Sequence, residues 1–570
     1  RGESLRCPAA LGERRVAHER RAPGLTWHAP RDKTMSLIIG DASWEEKVNE
    51  IGLKPRLEAL EWAAAIAPAI PPQERKVARC EAELARKQVP WKRITLDTVR
   101  ENHTRRAKGI FYGLEFPWTA EGLAEMGPAW LTEALHAAGT LAKENWVTKV
   151  VIEKKIEITD GNNAAKFLFE VKYAKHTPDL HTHLFAKVCY PYSDVTASDR
   201  LSSSFYKQPM DFLELNTYRC LEGSLPVNTP KFYYGDISNE TSNWILIIER
   251  VMFCEIDGID KSRILAPFEV EGPYVKAKDW SMRGDSKEYY LLLVEQTARI
   301  AGAYKQGKVP WNYGEPPTEA MEYGVNPAQP TGEKTSACMA KMNQGLRFMS
   351  ETAARLYPPY MKDSAWQAKW LRTMMGLNAY AKELQCWKMI DRDYVSLGHG
   401  NLNIDNAYFW RDDAGSLDCG IFDFGGFSVG CVPHNIWWML NMAEIDQVIE
   451  NMDTYIDAFI EMYERHGGPK LDPRKVRHLI IITAMQNSMT MIAAVPNSLK
   501  MCPAREFETI RDRHDPRIAG NIDGKSTLRS CIHVLHGTIR LFEELDGAGA
   551  LEQWEQEFWV GEWKQQPKAY

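Results

Sequence analysis

The 570-residue sequence lacks the cysteine spacing of zinc sites and disulfide scaffolds. Its 11 cysteines are scattered and odd in number, and no two form a C-x-x-C pair. Secreted, disulfide-rich domains and small zinc modules are therefore not expected. Reduced cysteines in the cytoplasm are the simplest interpretation.

Long apolar runs and basic charge are also missing. A membrane-spanning helix needs about 18 or more consecutive apolar residues, and the best candidate, residues 478–496, is interrupted by Gln486, Asn487 and Ser488. We predict a buried helix there and no transmembrane segment. The formal net charge is -6, so we expect no nucleic-acid partner.

The first 34 residues differ from the rest of the chain. They start with Arg, contain seven arginines and show no hydrophobic periodicity, and Met35 is the first methionine. We interpret residues 1–34 as a non-native or disordered extension upstream of a start at Met35. An Arg-rich organelle-targeting peptide is the alternative, although the acidic residues in this segment count against it.

Hydrophobic periodicity divides the remainder into a β-rich part and a helical part. The predicted helices are residues 45–110 (with a break at 68–72), 118–145, 211–221, 288–305, 341–356, 365–388, 445–466 and 476–491. The predicted strands are residues 150–158, 166–173, 183–190, 231–234 and 244–252, with further strand and loop at 394–427. This order predicts an α+β fold of two lobes, a small β-rich one followed by a larger helical one. The expected domains are a helical preamble at 35–117, lobes at 118–252 and 253–560, and a tail at 561–570.

One segment of the predicted large lobe combines residues suited to phosphate and metal chemistry. It reads His399-Gly-Asn401, then Asn406, and later Asp423-Phe-Gly at the end of an apolar strand. Residues 407–410 and 418–422 are predicted to pair as a hairpin, which would bring Asn406 and Asp423 side by side. Carboxylate and amide oxygens are ligands that Mg²⁺ accepts, so these two residues are the predicted metal ligands.

This pattern resembles the aminoglycoside phosphotransferase superfamily, and within it the choline-kinase-like and ecdysteroid-kinase-like group. The family signature is His-Gly-Asp-x-x-x-x-Asn followed by an apolar-Asp-Phe/Trp segment, and the resemblance covers residues 120–550. It implies a two-lobed protein-kinase-like fold, with ATP and Mg²⁺ as cofactors and a small-molecule alcohol as the phosphate acceptor.

The resemblance also assigns roles to residues outside the signature. Lys187 would contact the nucleotide phosphates, and Glu214 on the following helix would orient Lys187. Glu249 to Met252 would form the hinge that holds the adenine. Gly161 and Asn162 would form the phosphate loop, in which only one glycine remains.

Two positions depart from the family pattern. Asn401 stands where the family has the aspartate that orients and deprotonates the acceptor, and an amide cannot take that proton. Asp405 is a candidate replacement base, and His399 is expected to brace the loop. Asn435 stands where an aspartate usually supports the catalytic loop. These departures predict a slow kinase or, as the alternative, a pseudokinase that binds nucleotide without turnover.

Two other features have simpler interpretations. The histidine cluster of His176, His181 and His183 has no carboxylate or cysteine at metal-ligand spacing, and we predict a turn between strands. Trp437 and Trp438 are predicted to pack in the core.

Overall fold

The computed structural model describes residue 85 and residues 88–156, 164–190, 212–254, 262–310, 335–523 and 526–558. Within these ranges the chain forms a mixed α+β fold of two lobes. The elements of the small lobe are helices α1 (Leu96–Asn102), α2 (Ala120–Ala138) and α3 (Phe212–Leu221), and strands β1 (Val147–Ile156), β2 (Ala165–Tyr173), β3 (His183–Val188), β4 (Phe232–Ile237) and β5 (Trp244–Glu249).

The small lobe is built on a five-stranded antiparallel sheet in the order β1-β2-β3-β5-β4. Successive side chains of a strand point to opposite faces. Phe167, Phe169 and Val171 of β2 are therefore on one face, where they share a hydrophobic core with Leu131 of α2. On the opposite face of the sheet, Leu246 and Ile248 of β5 belong to the hydrophobic core that continues into the large lobe.

The predicted helix over residues 118–145 is interrupted. Gly127 has φ +65° and ψ -159°, which is not helical, and Pro128 follows it. Glycine tolerates positive φ and proline has no amide hydrogen to donate, so the chain restarts as a new helix here. Thr132 then accepts a hydrogen bond from the amide of Val147 at 2.9 Å, which fixes the second part of α2 to the start of β1.

Only part of the predicted preamble lies in the described ranges. The helices expected before residue 85 lie outside them, and residues 88–117 contain one helix, α1, rather than continuous helix. Thr95 begins α1 by accepting a hydrogen bond from the amide of Thr98, and the helix ends at Asn102. Non-helical chain then runs to α2, so this part of the helical prediction was wrong.

The large lobe is mainly helical. Its helices are α4 (Ser286–Lys305), α5 (Thr335–Arg347), α6 (Ser364–Ala379), α7 (Ala381–Ile390), α8 (Val432–Leu440), α9 (Ile445–Glu450), α10 (Met452–Arg465), α11 (Pro473–Ile492), α12 (Val495–Met501), α13 (Ala504–Phe507), α14 (Pro516–Ala519), α15 (Leu528–Glu544) and α16 (Gly547–Trp554). Its strands are β6 (Val395–Gly398), β7 (Ala407–Arg411), β8 (Leu417–Ile421), β9 (Ser428–Cys431), β10 (Ile522–Asp523) and β11 (Ser526–Thr527).

Three of the predicted helices have different limits. The helix expected over 445–466 is divided at Asn451, and that over 365–388 is divided at Tyr380. The helix expected over 341–356 begins earlier and is α-helical only to Arg347, after which a π turn and a 3₁₀ turn follow. Hydrophobic periodicity continues across such short breaks, which is why the sequence alone did not reveal them.

Helix α11 is buried in the large lobe, as predicted from its polar interruptions. Leu479, Ile482 and Met485 are in the core, and α11 packs against α15 and α8. Of the helices in the described ranges, none alone is long and apolar enough to cross a bilayer, and one bent pair, Pro473–Ile492 with Val495–Met501, meets that test by length and composition.

Two short strand pairs position the loops of the predicted site. Strands β7 and β8 pair antiparallel from Ala407 opposite Ile421 to Arg411 opposite Leu417, which confirms the predicted hairpin. Strands β6 and β9 pair so that Gly398 lies opposite Ser428. The loops after β6 and after β8 are thereby brought to one end of the large lobe.

A buried carboxylate attaches the chain before α2 to the sheet. Asp236 of β4 accepts hydrogen bonds from the amides of Phe111 (3.0 Å), Tyr112 (3.1 Å) and Ile237 (2.9 Å). Burial raises the pKa of Asp236 to about 6. A Cβ on Gly109 would lie 2.0 Å from the Asp236 carboxyl carbon, so only glycine fits there.

We expect Asp236→Ala to lower the free energy of unfolding by at least about 2 kcal/mol, because it leaves buried amide donors without acceptors. Thermal and urea unfolding measure the change. The control is Asp97→Ala, at an exposed carboxylate of α1, which should leave stability nearly unchanged. Equal losses of unfolding free energy in the two variants would contradict the role given to Asp236.

Candidate active site

Lys187 of β3 contacts two carboxylates from different parts of the fold. Its Nζ lies 2.8 and 2.7 Å from the two carboxylate oxygens of Glu214 on α3, and 2.9 Å from Oδ1 of Asp423 after β8. Lys187 is only 8% exposed. Burial by itself would lower the pKa of Lys187, but the two carboxylates outweigh it and hold that pKa above its ordinary value. The ammonium group therefore stays charged.

Asp423 has a backbone conformation that turns the chain sharply after β8. Its φ of +64° and ψ of +57° are in the left-handed region, which is uncommon for residues other than glycine. Burial acts to raise the pKa of Asp423, but Lys187 and Lys166 outweigh it and lower that pKa below its ordinary value. The carboxylate is thus ionised, which is the form that binds a metal.

His399 and the Phe424 side chain hold the two loops together. The Nε2–H of His399 donates to the carbonyl oxygen of Phe422 at 2.8 Å, and its ring packs against Phe424 with centroids 5.1 Å apart. Tyr218 of α3 also packs against Phe424, edge to face, with ring centroids 5.3 Å apart. Burial lowers the pKa of His399, so the ring is neutral and acts as a donor. The bracing role of His399 stays a prediction, and these contacts are consistent with it.

Gly400 permits the close approach of the two loops. Its φ is +71°, and a Cβ at this position would lie 2.4 Å from the carbonyl oxygen of Gly426. A side chain would therefore push the loop after β6 away from the loop after β8. Asn435 of α8 lies against the same loop, because a Cβ on Gly398 would meet its amide nitrogen at 1.9 Å.

The side-chain oxygen of Asn401 is occupied by donors from the protein. It accepts from the indole Nε1–H of Trp438 at 2.8 Å and from the Nδ2–H of Asn403 at 2.9 Å. Trp438 was predicted only to pack in the core, and this polar contact was missed. Nothing in a Trp-Trp pair indicates which indole will find a partner in another loop.

Asn406 is oriented toward the Asp423 loop. Its side-chain Nδ2–H donates to the backbone carbonyl oxygen of Asn401 at 2.7 Å. The backbone carbonyl oxygen of Asn406 accepts a hydrogen bond from the amide of Phe422 at 3.0 Å. Among the residues that the structure describes, no donor is placed on Oδ1 of Asn406. Lys187 contacts Oδ1 of Asp423, and no donor from the same described residues contacts its Oδ2. One amide oxygen and one carboxylate oxygen fit a Mg²⁺ ion that keeps several waters.

Asp405 is in an ion pair. Its Oδ2 lies 3.1 Å from Nζ of Lys276, and both side chains are largely buried. Its assignment as a replacement base stays a prediction.

The proposed hinge residues lie at the end of β5. The amide of Glu249 donates to the carbonyl oxygen of Lys231 at 2.8 Å, and its carboxylate accepts from the Lys231 amide at 3.1 Å and lies 3.2 Å from His181. Its side chain thus joins β4 and β5. Met252 is 52% exposed beyond the strand. Adenine binding here stays a prediction, and Gly161 and Asn162 lie outside the described residues.

The histidines predicted to occupy a turn have partners of their own. The Nδ1 of His181 lies 3.0 Å from the Tyr233 hydroxyl, and the Nδ1 of His183 lies 3.4 Å from a Glu153 carboxylate oxygen. Across the part of the chain that the structure describes, no group of three or more His, Cys, Asp or Glu side chains is placed to hold a metal ion.

A second lysine on the same face of the sheet was also missed. Lys166 of β2 lies directly opposite Lys187 in the antiparallel register. Sequence alternation places Lys166 on the face opposite Phe167, but register between strands cannot be read from sequence without the turn geometry.

Comparison with known proteins gives matches among solved structures only. No family model and no curated protein matches the chain. The solved structures that we compare are small-molecule kinases. A choline kinase from Cryptosporidium parvum matches with a TM-score of 0.35 and 10% identity, covering 71% of this chain and 93% of that one. A microcompartment-associated aminopropanol kinase has a TM-score of 0.34 and 11% identity, covering 70% and 94%. Amicoumacin kinase, in complex with AMP-PNP and Ca²⁺, has a TM-score of 0.29 and 13% identity, covering 64% and 89%.

We expect Gly400→Ala to lower the free energy of unfolding by about 2–5 kcal/mol. The alanine would have to adopt a left-handed backbone conformation, and its Cβ would clash with the Gly426 carbonyl oxygen. The matched control is Gly415→Ala in the β7–β8 turn, where φ is +81° but a Cβ would meet nothing within 4 Å. Gly415→Ala should lower the free energy of unfolding by about 1–2 kcal/mol. Thermal unfolding compares the two, and equal losses would contradict the close approach of the loops.

Proposed function

We propose that this protein is an ATP- and Mg²⁺-dependent phosphotransferase that acts on the hydroxyl group of a small molecule. The observation that carries the proposal is the contact of one buried lysine, Lys187, with both Glu214 and Asp423. Phosphoryl transfer depends mainly on positioning and on charge near the phosphates. A fixed cation beside an ionised, metal-competent carboxylate supplies both.

The roles of the residues follow from their contacts. Lys187 holds the α- and β-phosphates of the nucleotide, and Glu214 orients its ammonium group. Asp423 holds the metal through Oδ2, and Asn406 holds it through Oδ1. When bound, Mg²⁺ neutralises charge on the phosphate oxygens. His399 keeps the loops aligned without exchanging a proton.

The acceptor side of the site supports slow turnover. Asn401 occupies the position next to the metal ligands where a base is expected, yet its oxygen already accepts two hydrogen bonds. A positioned general base contributes about 10²–10⁴-fold to rate. In this protein, Asn401 and the surrounding loop orient the acceptor hydroxyl, and the residual rate comes from positioning and charge.

Removal of the metal carboxylate tests nucleotide and metal binding. We expect Asp423→Ala to lose the Mg²⁺-dependent part of ATP binding, measured by calorimetry with and without Mg²⁺. The control is Asp413→Ala at the exposed β7–β8 turn, which should bind as the wild type does. If the wild type does not bind Mg·ATP, or if Asp423→Ala binds it equally well, the proposal is wrong.

Restoration of a carboxylate at position 401 tests the slow-turnover part. We expect Asn401→Asp to raise ATP-dependent phosphorylation in a panel of alcohol acceptors, by up to about 10²–10⁴-fold. Asn401→Ala is the control, because it removes the amide without adding a base. Equal rates for the two variants would count against a missing base. Nucleotide binding with no turnover in the wild type, and turnover in Asn401→Asp, would instead establish a pseudokinase.

A further inference from the structure

The face of the sheet that presents Lys187 to Asp423 also presents Lys166. In an antiparallel pair, directly opposite residues point to the same face, with Cβ atoms about 4.5–5.5 Å apart. Lys166 and Lys187 are such a pair. The neighbouring pair, Phe167 and Ala186, is in the core on the other face of the sheet. Both lysines therefore face the large lobe.

Lys166 has charged groups of both signs near it. Like charges directly opposite each other in a sheet are destabilising. Burial lowers the pKa of Lys166, and the nearby Lys187 lowers it further, while Asp423 and Glu214 act in the opposite direction.

The charge of the site indicates what the second lysine is suited to bind. One ammonium group, that of Lys187, contacts two carboxylates, those of Glu214 and Asp423. Together these three groups carry a net negative charge at the place where an anion would bind. Lys166 cancels that charge. Lys166 is also the second residue of β2. This strand follows the predicted phosphate loop, residues 160–163, in which the sequence has one glycine where a glycine-rich loop would have several.

We propose that Lys166 is a second phosphate-binding residue, which with Lys187 forms a two-lysine clamp for the polyphosphate chain of a nucleoside triphosphate. This inference rests on the proposed nucleotide binding. Lys187 is fixed by its two carboxylates, whereas Lys166 supplies the additional positive charge that a glycine-rich loop would otherwise supply through its backbone amides.

The test uses Lys166→Met, Lys166→Arg and the matched control Lys172→Met, at an exposed lysine of the same strand. Calorimetry in the presence of Mg²⁺ measures the affinities for ATP, adenosine and inorganic tripolyphosphate. Thermal unfolding measures stability without any ligand.

We expect Lys166→Met to bind ATP and tripolyphosphate about 10- to 100-fold more weakly, since it loses a hydrogen bond between charged groups. Its affinity for adenosine should not change. Lys166→Arg should retain most of the ATP affinity, and Lys172→Met should behave as the wild type does.

Two results would overturn the inference. One is wild-type ATP affinity in Lys166→Met. The other is a lower melting temperature with equal losses for ATP and adenosine, which would make Lys166 a structural residue. A wild type that binds tripolyphosphate through Lys166 but does not bind ATP would leave the clamp in place and refute the proposed function. A wild type that binds neither would refute both.

Discussion

The site depends on the burial of one ammonium group between two carboxylates. Moving an unpaired lysine out of water costs several kcal/mol, and Lys187 avoids that cost only while Glu214 and Asp423 are both in contact with it. Those two residues are carried by α3 and by the loop after β8. The charge on β3 is therefore stable only where the sheet, α3 and the large lobe meet, so the same interaction joins the lobes and assembles the site.

The remaining contacts keep that meeting point rigid. Phe424, which directly follows Asp423, contacts both Tyr218 of the small lobe and His399 of the large lobe. Because Gly400 has no Cβ, the backbones of the loops after β6 and after β8 can approach each other closely. Catalytic groups that are held before the substrate arrives need little reorganisation during reaction. In the proposed function, a site of this kind positions a nucleotide although Asn401, on the proposed acceptor side, is not a base.

Some of this could be predicted from the sequence. The β7–β8 hairpin follows from an Asp-rich turn between two short apolar strands, which is local information. The Lys187–Glu214 contact was expected from family resemblance, and the structure contains it. The polar role of Trp438 and the placement of Lys166 opposite Lys187 were missed. In both cases a residue meets a partner from a separate loop or strand, and sequence pattern does not specify that partner.

The sequence by itself determined the order of a β-rich lobe and a helical lobe, the hairpin, and the residue types near the proposed metal position. Periodicity and turn chemistry act over a few residues, so one chain is enough to read them. Only the tertiary structure decided which side chains share a face, where helices break, and which donors occupy Asn401. Those outcomes depend on strand register and on packing between distant segments, and register changes every contact on a face when it shifts by one residue.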